Sequence, residues 1–173
     1  MTEFSRLFRL DALAREPRRV RIEAEPDERD ALAARFELVS VDALAAEAEL
    51  GRHGETVIAA GFLRARVTQS CIATAEPVEA AVEEEFRVEF RPLPAGGDAE
   101  EVVELVADEL DVIFYDGSQV DLGEAVAQTL ALSLDPYPRS PAAEAALREA
   151  GVQDEAEARA ASSPFAVLKA LKK

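Results

Sequence analysis

The chain has 173 residues, 49% of them hydrophobic, and a formal net charge of −16 at pH 7. That length suits one domain with a flexible end, with a core built on Leu, Val and Phe, since alanine is abundant and tryptophan absent. The charge excludes a general long-range attraction to nucleic acid or anionic membrane and steers basic partners towards the chain.

Phe4, Leu7, Phe8 and Leu10 lie among polar residues. They fit either a first strand over 4–10 or the start of an arm that docks on a sheet. Arg15, Arg18, Arg19 and Arg21 come next, broken by Pro17, and 20–24 alternates as a short strand. Residues 25–30 carry a helix start: Asp27 can cap, and acidic residues fill the first turn, facing the positive end of the helix dipole. Ala31, Leu32, Ala34 and Arg35 continue that helix, and 36–39 reads as a brief extended link. Ser40 is then placed to cap a second helix, 41–50, closed by Gly51. Residues 51–55 form a turn into a long strand, 56–67, with Val57, Ala59, Leu63, Ala65 and Val67 on one face.

The clearest pattern lies between 78 and 90. Val78, Ala80, Val82, Phe86, Val88 and Phe90 share one parity, and Glu79, Glu83, Glu85, Arg87 and Glu89 the other. Period-two alternation sends one set to a core and the other to water. Glu84 breaks the rule, and an edge or bulge would absorb it. Residues 91–98 read as a loop, and 99–110 fits a helix or a strand. Residues 111–115 form a strand, ending in an Asp116-Gly117 turn. Asp121 and Glu124 have capping-box spacing, opening a helix over about 122–132 with Leu122, Val126, Thr129, Leu130 and Leu134 on one face. Pro136, Pro138 and Pro141 end it. The next twenty residues have few large side chains, so disorder or weak order is expected. Ser163-Pro164 starts a short final helix with Phe165, Leu168 and Leu171 as a ridge beside Lys169, Lys172 and Lys173. Together these features predict an α+β domain over 1–140, an antiparallel sheet (open or partly closed barrel) with a few helices, and a weakly ordered tail over 141–173.

The chemistry-bearing residues are few. His53, the only histidine, sits in a turn and reads as solvent-exposed. Cys71, the only cysteine, excludes an internal disulfide and a thiolate zinc cluster; with no basic neighbour nearer than Arg66 it reads as a buried, inert thiol. Carboxylates are too common for any pair to mark a general acid–base dyad. No phosphate-binding glycine loop, nucleophile elbow or calcium loop is present. The expectation is a protein that is not an enzyme and takes no cofactor or metal. The first ten residues are charged and the longest apolar run, 57–63, is too short for a bilayer, so the expected compartment is the cytoplasm, without membrane contact.

Gln69-Ser70-Cys71, the Pro77-Val78 step and the alternating 85–90 strand resemble the YceD family, the large ribosomal RNA subunit accumulation proteins. The later segments come in a similar order: an acidic stretch over 98–111, the helix start at Asp121–Glu124, a leucine-rich helix through Leu130 and Leu134, Tyr137-Pro138, and a closing segment over 163–172. The resemblance covers about 35–140 and that closing segment. It implies a role in accumulation of 23S ribosomal RNA and large-subunit assembly in a bacterial cytoplasm, with no catalytic residues to transfer. Some relatives carry a cysteine cluster after the proline segment that would suit zinc; 139–143 has none, so no metal is carried over.

Charge then separates three partner classes. From Glu76 to Asp135, seventeen acidic residues face two arginines, Arg87 and Arg91, a local net of −15. An acidic face including Glu83, Glu85, Glu89, Glu100, Glu101 and Glu104 would hold a basic ribosomal protein or the pre-ribosomal large subunit. Alternatively Arg15, Arg18, Arg19 and Arg21 with Lys169, Lys172 and Lys173 would contact rRNA directly, although no aromatic is interleaved for stacking. Thirdly, the apolar ridge of the tail helix would dock into a partner's groove.

Overall fold

The structure is a computed structural model that describes residues 3–13, 16–93 and 111–152. Compactness divides the chain into a larger unit, Met1–Gln69 with Glu79–Pro136, and a smaller one, Ser70–Val78 with Tyr137–Lys173.

The fold is α+β. β1 (Leu7–Arg9) leads through a 3-10 turn at Leu10–Ala12 towards β2 (Arg18–Glu23), which precedes α1 (Pro26–Arg35). β3 (Ser40–His53), β4 (Thr56–Ser70) and β5 (Pro77–Pro92) are the long strands. β6 (Asp111–Tyr115), β7 (Gln119–Asp121), α2 (Leu122–Ser133) and α3 (Ala143–Glu149) complete the described chain. The main sheet has the order β2-β3-β4-β5-β6, and β1 pairs with β7 in a separate two-stranded sheet. β2–β3 and β3–β4 are antiparallel, the arrangement expected of the sheet, whereas β5 and β6 run parallel. A parallel pair needs a long connection, and seventeen residues, 94–110, separate the last described residue after β5 from β6.

Residues 41–50 correct the sequence reading. They are not a helix capped by Ser40 but the middle of β3. Alanine and glutamate favour a helix locally. Yet Leu44, Ala46, Ala48 and Leu50 alternate with Ala45, Glu47 and Glu49, and a strand flanked by β2 and β4 buries the first set. β4 meets this strand closely at Gly61, where a Cβ would run into the Glu47 carbonyl oxygen. The β3–β4 hairpin turns at Gly54, whose φ of +67° favours glycine. His53 is exposed there, as expected.

Other local features also differ. The N-cap of α1 is Glu25, in a reciprocal capping box with Glu28 and with Pro26 at the start, so Asp27 is not the cap. Residues 36–39 form a turn rather than an extended link: Glu37 has φ +55° and the Leu38 N–H bonds the Ala33 carbonyl. β5 continues through Pro92, so the loop expected from Arg91 begins later. Within the stretch expected to be disordered or weakly ordered, Ala143–Glu149 form α3, stopped by Gly151 at φ +81°. Alanine-rich sequence carries that short helix, and an Arg148–Glu144 pair at 2.6 Å spans one turn of it. The alternatives for 99–110 and the terminal helix over 163–172 lie outside the described residues.

The core of the larger unit lies on one face of the sheet. Leu32 of α1, Leu44 and Leu50 of β3, Val57, Leu63 and Val67 of β4, Val88 and Phe90 of β5, and Leu122, Val126 and Leu130 of α2 are all buried there. Phe4 is fully buried, so the N-terminal segment docks on this core as well as pairing through β1. Asp121 fixes that docking. Its carboxylate accepts from the Glu124 N–H at 3.2 Å as the α2 cap, from the Arg6 N–H at 2.8 Å and from Ser5 Oγ at 2.6 Å. The capping box is half made, because Glu124 turns instead to Arg35 at 2.8 Å.

Candidate interaction surfaces

The opposite face of the sheet is charged, and strand register arranges its charges in rows. Arg19 lies opposite Glu49, which lies opposite Ala60; Arg21, Glu47 and Phe62 form the next row; Glu23, Ala45 and Arg64 the third. Arg19 donates to Glu49 at 2.7 Å, and Arg21 lies 3.8 Å from Glu47. Arg64 lies 3.2 Å from Glu83 of β5 and stacks 4.9 Å from the centroid of Phe62. Arg19, Arg21, Glu47, Glu49, Ala60 and Phe62 border an open depression of about 610 Å³.

The predicted acidic face is therefore only partly free. Glu83 is matched by Arg64, and Glu89 binds Arg91 at 2.9 Å. The Arg91 guanidinium holds the Glu89 carboxyl below the usual carboxylate range against the opposing pull of burial. Glu85 is exposed. Glu100, Glu101 and Glu104 lie outside the described residues, as do Arg15, Lys169, Lys172 and Lys173. Of the predicted RNA-contacting residues the structure brings Arg18, Arg19 and Arg21 together on β2, an edge strand. It also supplies an aromatic that the sequence reading missed, Phe62 in the row of Arg21. Only the register of three strands puts them together, since they lie 41 positions apart in the chain. The same register inserts Glu47 and Glu49, which the helix assignment had concealed.

The smaller unit is built around Cys71. A turn joins the Cys71 N–H to the Glu76 carbonyl at 2.8 Å, with Ala75 at φ +59°. Residues after Pro138 close on it: the Ile72 N–H bonds the Pro138 carbonyl at 3.0 Å, and the Ser140 N–H points at Cys71 Sγ at 3.3 Å. Ser140 Oγ donates to Glu76 at 2.6 Å and lies 3.1 Å from Thr74 Oγ1. The thiol is buried, as expected, and hydrogen-bond donors face its sulfur. The Ser140 N–H, then the Thr74 hydroxyl, stabilise the thiolate and bring Cys71 down to about 6, while burial opposes them. The shift comes from hydrogen-bond donors rather than from a base, which is why the lack of a basic neighbour in sequence was misleading.

This donor set does not fit zinc. One thiol with two hydroxyls and a carboxylate lacks the Cys and His ligands of structural sites, and no three His, Cys, Asp or Glu side chains converge among the described residues. No described helix is long and apolar enough to cross a membrane.

The family model described as large ribosomal RNA subunit accumulation protein YceD matches residues 59–172. No curated protein and no solved structure gives a match.

Proposed function

The chain belongs to the YceD family of large ribosomal RNA subunit accumulation proteins, and from that premise we propose that it supports 23S ribosomal RNA accumulation without catalysis, by holding a basic ribosomal protein until it meets RNA. The observation that carries the choice is the pairing of the edge arginines. Arg19 and Arg21 are matched by Glu49 and Glu47 on the adjacent strand. A phosphate would have to displace those carboxylates, so these two arginines offer little for counterion release. Acidic residues outnumber the cations that could pair with them: residues 94–110 alone contribute six acidic residues and no lysine or arginine. A chain with that balance attracts lysine- and arginine-rich surfaces and repels RNA, the property required of a holder that must give up its cargo to ribosomal RNA.

The test is capture of partners by the tagged protein from bacterial lysate, with and without nuclease. Basic large-subunit proteins should remain bound after nuclease. Substituting Glu83, Glu85 and Glu89 by Lys should lower their recovery. Ribosomal RNA captured without such proteins, and lost on nuclease treatment, would instead establish direct RNA contact through the arginine and lysine segments.

A further inference from the structure

Glu84 is the residue that breaks the alternation of β5, and its surroundings give that break a use. It has the parity of Phe86, Val88 and Phe90, which are 6%, 1% and 1% exposed, yet Glu84 itself is exposed. β6 pairs with β5 only from Val88 onward, and α2 ends at Ser133, so among the described residues the cover over this part of the core face runs out. The result is an open cleft of about 390 Å³ between β5 and the last turn of α2. Glu84, Glu85 and Asp111 line it, with Phe86 and Leu132, and among the described residues Arg87 is the one basic residue at its edge. Leu132 is 80% exposed, the most exposed of the large apolar side chains described.

A single exposed leucine is ordinary on a protein surface. Here it stands in a concavity beside three carboxylates, none of which makes a hydrogen bond or ion pair with another described side chain. The last turn of α2 contains no basic residue, so the partial negative charge of the helix end adds to theirs. The cleft thus joins a net negative potential to an uncovered apolar contact. The occupant that satisfies both is a lysine- or arginine-rich segment with an apolar residue among its charges. A purely basic chain would leave Leu132 in water, and a purely apolar one would leave the carboxylates unmatched.

We propose that the cleft between β5 and the end of α2 is the docking site for such a segment of a basic protein. The assignment rests on the basic-partner reading and names the surface that does the holding. The same surface makes the grip reversible, because open, solvated charge pairs exchange readily for the denser phosphates of RNA.

The measurement is fluorescence anisotropy of the full chain against an arginine-rich peptide carrying one leucine, with the leucine-to-serine peptide in parallel. The wild-type chain should prefer the leucine peptide. Glu84→Lys with Asp111→Lys should weaken it at least about tenfold. Glu79→Lys with Asp116→Lys, an equal change of charge outside the cleft, should weaken it far less. Leu132→Ser should abolish the preference between peptides while keeping most of the charge-driven binding. Equal losses from the two charge pairs would overturn the cleft while leaving the basic-partner reading standing. No binding of either peptide by the wild-type chain would overturn both. Tighter binding on substituting Lys169, Lys172 and Lys173 by Glu would show the chain's own basic end in the cleft, which also overturns the proposal. Near-ultraviolet circular dichroism of each variant distinguishes lost binding from lost fold.

Discussion

Two residues carry effects out of proportion to their size. Gly61 has no room for a side chain, because the nearest atoms to a Cβ there are the backbone of Glu47 and Ala48 at 2.0–2.9 Å. Backbone within a sheet cannot yield as a flexible side chain can. Gly61→Ala is expected to cost about 3 kcal/mol or more, read from urea denaturation, whereas Ala60→Gly beside it should cost far less. Cys71 carries a pH effect. Its folded value of about 6 lies below the ordinary thiol value. A depressed acid contributes stability that is fully present above the unfolded pKa and lost as pH falls through the folded one. The melting temperature should therefore rise between about pH 6 and pH 9 in part through this thiol. Cys71→Ala should flatten that rise, and thiolate absorbance should titrate near the lower end. A thiolate absorbance that appears only at the ordinary thiol pH would show that the Ser140 N–H does not stabilise the anion.

At the scale of elements, β3 and α2 show opposite outcomes of local signals. The α2 start was legible because its cap is local: Asp121, Leu122 and Glu124 contain the whole instruction. What was not legible is that the same carboxylate also anchors Ser5 and Arg6, more than a hundred residues away in sequence. Asp121→Ala should thus cost roughly 2 kcal/mol, more than an ordinary cap, by freeing the N-terminal segment as well. Ion pairs add a second tie between elements. Arg6 holds Glu28 of α1 at 2.6 Å, and Arg35 joins α1 to Glu124 of α2 at 2.8 Å. Both carboxyls are held below their usual range by those guanidiniums against burial. Their contribution is present above the unfolded carboxyl pKa and disappears as pH falls through the depressed folded values. Acid unfolding should begin below about pH 4.5, and Glu28→Gln with Glu124→Gln should shallow the decline as well as lower stability at neutral pH. β3 is the converse case. Its alanines and glutamates satisfy a helix by propensity and a strand by alternation, and only partners on both sides decide between them.

For the whole molecule, charge is a matter of placement as much as of amount. The net of −16 is a property of composition, and attraction to basic partners results from it. Arg18→Glu with Arg19→Glu should leave retention of basic proteins unchanged in the pull-down, and a loss would move the working surface to β2. Composition and period determined the acidic α+β character, the two long strands expected over 56–67 and 78–90 and the Asp121 cap, and the order of the motifs carried the family resemblance, because each is written in neighbouring residues or in their order. Tertiary structure alone decided that 41–50 is a strand, that Glu83 and Glu89 are matched by arginines, and that Glu84 opens onto a cleft beside Leu132. Cys71 belongs to the same class, since its polarising N–H comes from a residue 69 positions away. Each of these depends on strand register or on the meeting of distant segments, and a one-residue shift in register would reverse which side chains face one another.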